Sequence, residues 1–159
     1  KLNLRSDLIK ENISNIGESI VSISMLVTDV IKNKGKLMFC GNGGSAAECQ
    51  HMSAEYCATL DHKRPREGMS SISLTTDTSF LTAWTNDFGY KNIFSRQVLT
   101  LGEKKDLLFC YSTSGNSENV CEAAKQAKKM AKPKSAINIG TSSLKKLSDK
   151  TLVLCFSPS

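Results

Sequence analysis

Two short apolar runs in this chain each stop at a turn of small residues and give way to a helix-like pattern. In the first, Leu37-Met38-Phe39-Cys40 meets Gly41-Asn42-Gly43-Gly44-Ser45. In the second, Leu107-Leu108-Phe109-Cys110-Tyr111 meets Ser112-Thr113-Ser114-Gly115-Asn116-Ser117. A strand, a glycine- or serine-rich turn and a helix together aim backbone N–H groups and the positive end of a helix dipole at one point, which is how a fold grips an anion. Two such units in 159 residues favour a fold of alternating strands and helices and point to a phosphorylated metabolite.

The rest of the chain fits that frame. Leu4, Leu8, Ile13, Ile16, Ile20, Ile23, Val27 and Val30 recur at three- and four-residue steps, with one five-residue step. This predicts one long amphipathic helix, or two broken near Asn15. It carries more apolar surface than one sheet edge needs, so packing between subunits is a reasonable use for it. Strands are expected at residues 37–40, 71–74, 106–111, 136–139 and 151–156. Helices are expected at 46–60, 78–85, 92–101 and 118–131, with a loop over 86–90. Nearly all-apolar strands alternating with helices give an α/β fold whose parallel sheet is covered on both faces. No helix follows the fifth strand, so the expectation is a chain incomplete at its C-terminus, or a partner covering that face.

Composition narrows the function classes. The length suits one domain, and 40% hydrophobic with 23% charged residues is ordinary for a soluble protein. No run of 18 apolar residues exists, so no membrane span is expected. The N-terminus is polar and amphipathic rather than a signal, which places the protein in the cytoplasm. Cys40, Cys49, Cys57, Cys110, Cys121 and Cys155 form no Cys-x-x-Cys pair and read as free thiols acting as small hydrophobes. Much of the net charge of +6 lies in Lys125, Lys128, Lys129, Lys132, Lys134, Lys145, Lys146 and Lys150. Without aromatic stacking or a nucleic-acid motif, a solvated helix face and an anionic substrate account for it.

The individual motifs differ in weight. Gly41, Gly43 and Ala46 fit the loose dinucleotide fingerprint, but Asp77 stands about thirty residues on, where the ribose-binding acid is expected about twenty on. The second loop is more specific: Ser112, Thr113, Ser114 and Ser117 give four hydroxyls within six residues, and Gly115 permits a tight backbone path. An ordinary helix cap at Ser117 explains less of it. His51 and Glu55, four apart on the helix after the first loop, share one face and suit either proton transfer or metal ligation. A surface hydrogen-bonded couple is the plainer reading of such a pair. Asn86 and Asp87 read as a solvated turn or as groups reaching substrate hydroxyls. His62, Lys63 and Arg64 read as surface loop.

Taken together, residues 40–45, His51 with Glu55, Arg64-Pro65, Thr85-Asn86-Asp87-Phe88-Gly89 and residues 112–117 resemble the sugar isomerase (SIS) domain family, and within it the phosphoheptose isomerases. The likeness is dense from the N-terminal helix to about residue 128 and fainter to residue 156. It implies a single SIS domain over residues 1–159, with 1–34 as an N-terminal helical segment and a C-terminal helix missing. It implies a three-layer α/β/α sandwich around a five-stranded parallel sheet, assembled as a homotetramer with active sites at subunit interfaces. It further implies conversion of sedoheptulose 7-phosphate to D-glycero-D-manno-heptose 7-phosphate, early in ADP-heptose and lipopolysaccharide synthesis.

By the same resemblance, Asn42, Gly43, Gly44, Ser45, Asn86 and Asp87 contact substrate, and Ser112, Thr113, Ser114 and Ser117 hold its phosphate. His51 and Glu55 bind zinc and are the catalytic residues in this chain, Glu55 also contacting substrate and shuttling a proton between C1 and C2. The family places a glutamine and a second histidine on a C-terminal helix past residue 159. The chain departs from the family pattern at Thr59, where an arginine is usual, at Lys132-Pro133-Lys134, and in the short 140–149 connection. Three rivals remain: a non-catalytic SIS protein that assists a replication initiator, an SIS isomerase for another phosphosugar, and a dinucleotide oxidoreductase. Glu55 and the intact second loop favour the enzyme over the binder.

Overall fold

The computed structural model describes residues 2–59, 61–130, 138–139 and 151–154. The N-terminal periodicity forms one unbroken helix, α1 (Leu2–Lys32), with no interruption at Asn15. It stops where Lys34 takes φ 57° and Gly35 N–H donates to Val30 O at 2.8 Å, a left-handed C-terminal ending.

The strands form a parallel sheet of order β2-β1-β3-β5-β4, built from β1 (Leu37–Gly41), β2 (Ser71–Ser73), β3 (Leu107–Tyr111), β4 (Asn138–Ile139) and β5 (Thr151–Leu154). β1 and β3 lie at its centre, paired residue for residue from Leu37 with Leu107 to Gly41 with Tyr111, and every position of both is buried. Their alternation divides the core. Leu37, Phe39, Leu107, Phe109 and Tyr111 face α1 and α2 (Gly44–Cys57), meeting Val27, Val30 and Cys49. Phe39 and Phe109 stack at 4.7 Å between ring centroids. Met38, Cys40, Leu108 and Cys110 face the other layer, which holds α3 (Thr78–Phe88), α4 (Ile93–Leu101) and α5 (Glu118–Met130). Fully burying a side chain such as Phe39 contributes about 2–3 kcal/mol.

This connectivity creates the site. From β1 the chain crosses through α2 to β2 on one side, then returns through α3 and α4 to β3 on the other. Where the direction of winding reverses, the loops leaving two adjacent strands diverge to opposite faces and open a crevice at the carboxyl ends. Here that crevice lies between β1 and β3.

Several boundaries differ from the sequence reading. α2 starts at Gly44 and ends at Cys57, short of residue 60, because its last carbonyls are taken from outside the helix. The Arg66 guanidinium donates to Glu55 O at 2.8 Å and Tyr56 O at 3.0 Å, and Met69 N–H also donates to Tyr56 O. α3 runs on to Phe88, so Asn86 and Asp87 sit in its last turn and not in a loop. The aromatic ladder of Phe80, Trp84 and Phe88, with Trp84 and Phe88 centroids 4.5 Å apart, outweighs the poor helix propensity of the Asn-Asp pair. A 3-10 turn (Tyr90–Asn92) then leads into α4. β2 ends at Ser73, and β3 starts at Leu107 because Asp106 is used to receive Lys36 N–H and the Lys36 ammonium. The predicted ends at 131, 136–137 and 155–156 lie outside the described residues.

Candidate active site

The first loop depends on its glycines. Any Cβ on Gly41 would meet Ser45 Cβ at 2.9 Å and the Ser45 and Tyr111 carbonyl oxygens at 3.0 Å, so β1 can run this close to β3 and α2 only without a side chain. Gly43 takes φ 55° at the head of α2, where no side chain caps the helix. Gly43 and Gly44 are exposed, and Ser45 is half-buried. The uncapped helix start therefore faces solvent with its dipole available.

The second loop is held by its own hydroxyls. Ser112, only 4% exposed, receives Gly115 N–H at 3.0 Å and lies 3.1 Å from Ser117 Oγ and 3.5 Å from Ser114 Oγ. Asn116 N–H donates to Ser114 Oγ at 3.1 Å, and Gly115 turns the chain with φ 65°. Ser117 O accepts from Cys121 N–H, making Ser117 the residue that opens α5. Ser112 thus organises the loop from below, while Thr113 and Ser114 are exposed above it.

Asn42 ties the two loops together. Its Nδ2 donates to Asn119 Oδ1 at 2.9 Å, Asn119 Nδ2 donates back to Asn42 Oδ1 at 2.8 Å, and Tyr90 Oη adds a bond to the same oxygen at 2.9 Å. Lys91 pairs with Glu118 at 2.8 Å beside this network. Sequence reasoning missed Asn119 and Tyr90. The one signal is an amide in the first turn of a helix directly after the serine loop, two residues past Ser117.

Two open clefts flank the first loop. One, of about 630 Å³, is lined by Asn42, Gly44, Ser45, Glu48, Met52, Tyr111 and Thr113. The other, of about 530 Å³, lies under α3 and α4 and includes Gly41, Thr75, Asn86 and Tyr90. Asn86 therefore faces a cleft shared with the first loop, and its Nδ2 donates to Asp87 Oδ1 at 2.9 Å. Asp87 is exposed and is not among that cleft's lining residues.

His51 and Glu55 lie further along α2. Their Nε2 and Oε1 atoms are 4.0 Å apart, the imidazole mostly exposed and the carboxylate about one-third exposed. Glu48, His51, Met52 and Glu55 follow one face at helical spacing, and Glu48 and Met52 line the first cleft. From Gly44, helical rise puts His51 about 10 Å and Glu55 about 16 Å along the axis. The pair stands apart from the loops within one chain. An imidazole and a carboxylate on one helix face are ligand types of a zinc site, though at 4.0 Å these atoms stand further apart than two tetrahedral ligands would. Among the described residues, no group of three or more His, Cys, Asp or Glu side chains completes such a set.

The remaining candidates have structural partners. Asp77 caps α3, its Oδ1 accepting Phe80 N–H at 2.9 Å, which uses it as a cap in place of the ribose-binding acid of a dinucleotide site. Thr59 donates to Asp61 O, and His62, Lys63 and Arg64 are exposed. Among the described residues the cysteines are free. The Cys40 thiol is pushed well up by its hydrogen bond with Cys110 at 3.7 Å and by burial, and burial pushes Cys49 and the Tyr111 phenol up as well. These thiols are packing groups rather than nucleophiles. No helix among the described residues is long and apolar enough to cross a membrane.

A parallel sheet with a glycine turn and a serine-rich loop at the reversal of winding places this chain among doubly wound α/β domains whose crevice lies at the strand ends. The SIS domain family matches residues 3–136, and the chain belongs to that family. A phosphoheptose isomerase from Helicobacter pylori strain P12 is 42% identical over 149 residues, covering 93% of this chain and 77% of that protein. Phosphoheptose isomerase 1 of Campylobacter jejuni is 45% identical over 130 residues, 82% of this chain and 65% of that protein. The solved phosphoheptose isomerase of Neisseria gonorrhoeae superposes with a TM-score of 0.72 at 32% identity, covering 100% of this chain and 88% of the other. That of Francisella tularensis gives 0.75 at 27% identity, covering 99% and 86%.

Proposed function

We propose that this protein is a ketose–aldose isomerase that interconverts sedoheptulose 7-phosphate and D-glycero-D-manno-heptose 7-phosphate, supplying heptose for ADP-heptose and lipopolysaccharide synthesis in the cytoplasm. The observation that carries it is the pair of loops at the β1–β3 crevice, in a chain 42% identical to a phosphoheptose isomerase over 93% of its length.

In this reading the phosphate lies between the two loops. Thr113, Ser114 and Ser117 offer hydroxyls to its oxygens, and Ser112 holds their spacing. Gly43, Gly44 and Ser45 present the head of α2. Gripping the phosphate lets binding energy orient carbons that lie at the other end of the sugar. Asn42 and Asn86, with Asp87 beside it, reach the hydroxyls.

Isomerisation moves one proton between adjacent carbons through an enediol. It needs a base at the carbon-bound hydrogen and a donor to the oxygen that gains charge. Glu55 takes the proton from C1 of the ketose and returns it to C2, while the proton of the C1 hydroxyl passes to the C2 oxygen, leaving the aldehyde at C1 and a hydroxyl at C2. His51 and Glu55 are the residues that would hold zinc, and a bound zinc would polarise the carbonyl oxygen.

The distance along α2 between the loops and Glu55 favours sites assembled between subunits of a homotetramer, where one chain's pair serves a neighbour's crevice. Exposed Ile20 and Met25 on α1 supply apolar surface for such packing.

The test is incubation of the protein with sedoheptulose 7-phosphate, following the aldose by NMR, with Glu55→Gln as the control. Product from the wild type and none from the variant supports the reading. Equal product from both removes Glu55 as the base. No product from either removes the activity and leaves a phosphosugar-binding protein.

A further inference from the structure

The amide network at the crevice contains one group that fixes all the others. Val120 N–H, which can only donate, gives its hydrogen to Asn119 Oδ1 at 3.0 Å. That sets which end of the Asn119 amide is oxygen, and the side chain is 4% exposed, with no solvent to permit another arrangement. Asn119 Oδ1 also faces Asn42, which must meet it with Nδ2 at 2.9 Å; Asn119 Nδ2 then meets Asn42 Oδ1 at 2.8 Å. Since Asn42 presents oxygen to Tyr90, the Tyr90 hydroxyl must donate, at 2.9 Å.

An amide oxygen has two lone pairs, and both of Asn42's are taken. Its Nδ2 keeps one hydrogen with no partner among the described residues. We propose that Asn119 is a positioning residue that, with Tyr90, locks the Asn42 side chain so that it meets the sugar phosphate as a hydrogen-bond donor only. The inference rests on reading this crevice as the phosphosugar site. It deepens that reading in two ways. Asn42 recognises an acceptor on the substrate, a hydroxyl, carbonyl, ether or phosphoryl oxygen, and cannot receive a hydroxyl hydrogen. The reciprocal bonds also fix the separation of the heads of α2 and α5, which carry the two halves of the cradle.

Two near-isosteric variants remove donors to Asn42 without removing its contacts. Asn119→Asp still accepts from Val120 N–H and Asn42 Nδ2 but has no hydrogen for Asn42 Oδ1. Tyr90→Phe loses only the hydroxyl of a half-exposed ring. The expected fall in kcat/KM on sedoheptulose 7-phosphate is about 30-fold for Asn119→Asp and about 3-fold for Tyr90→Phe. Both are repeated in an Asn42→Ala background, where each should cost less than about 2-fold further. That cycle separates positioning from plain repulsion of the anion by the new carboxylate, which would persist without Asn42. Side-chain amide NMR on ¹⁵N-asparagine-labelled protein reads the lock without any reaction. In the wild type, one Asn42 Nδ2 hydrogen should exchange slowly and the other fast; in Asn119→Ala, which removes the acceptor, both should be fast.

Losses that simply multiply in the double variants, an unchanged kcat/KM in Asn119→Asp, or two fast-exchanging hydrogens in the wild type would each overturn the proposal. If the wild type turns over no heptose phosphate, the activity reading falls alone. The same cycle on calorimetric affinity for sedoheptulose 7-phosphate, with the exchange data, then decides the lock. If Asn119→Asp does not fold, Tyr90→Phe carries the cycle.

Discussion

The loops at the crevice and the His51–Glu55 pair on α2 are built by opposite means. The two loops are tied together by bonds within the chain: Ser112 is buried and bonded to three members of its own loop, and Asn42 joins that region to the glycine turn through Asn119. His51 and Glu55 are partly exposed, have each other at 4.0 Å, and stand two and three turns away. The loops are fixed by bonds within the fold, whereas the His51–Glu55 pair has few partners among the described residues. Holding a phosphate needs donors in fixed places before the ligand arrives, while proton transfer needs a base that reaches its carbon only in the assembled complex.

The sharpest way to break this division is Glu55→Gln. If chemistry and binding are separable, kcat falls about 10³-fold while affinity for sedoheptulose 7-phosphate stays within about 2-fold, read by single-turnover kinetics and calorimetry. A parallel loss of affinity would mean that Glu55 belongs to the cradle. Next is Gly41→Ala, whose methyl group would press on Ser45 and on the Tyr111 carbonyl. It should cost about 3 kcal/mol in denaturant unfolding and weaken phosphosugar binding together. Ser112→Ala leaves the buried Gly115 N–H without its acceptor. About 2 kcal/mol of stability should be lost, with a rise in KM because the hydroxyls above lose their spacing. The smallest effect belongs to Ser114→Ala, an exposed hydroxyl at the rim. KM should rise about 5-fold with kcat unchanged, and a change confined to kcat would argue against a ground-state phosphate contact.

The sheet was legible because strand interiors carry an unambiguous signal. Residues 37–40 and 107–111 are apolar at every position, and both prove buried throughout. The loops were legible because few other uses explain glycine and serine packed at strand ends. The C-terminal limit of α3 was not, since Asn86 and Asp87 read locally as turn residues, and the stacking of Phe88 on Trp84 is what carries the helix past them. The early end of α2 was equally hidden: the arginine that takes its carbonyls lies ten or eleven residues further on. Asn119 could be named from sequence but not assigned, because its partner is 77 residues away. The placement of His51 and Glu55 on one helical face followed from spacing alone, but their distance from the loops is set by where α2 begins.

The central claim is that the phosphate of a sugar sits between the glycine turn and the serine loop. Titration of ¹⁵N-labelled protein with sedoheptulose 7-phosphate tests it directly. The account predicts that the largest amide shifts fall on Gly43, Gly44, Ser45, Thr113, Ser114 and Ser117, saturating together with one affinity. Saturable shifts confined to other parts of the molecule, with these six amides unmoved, would contradict it.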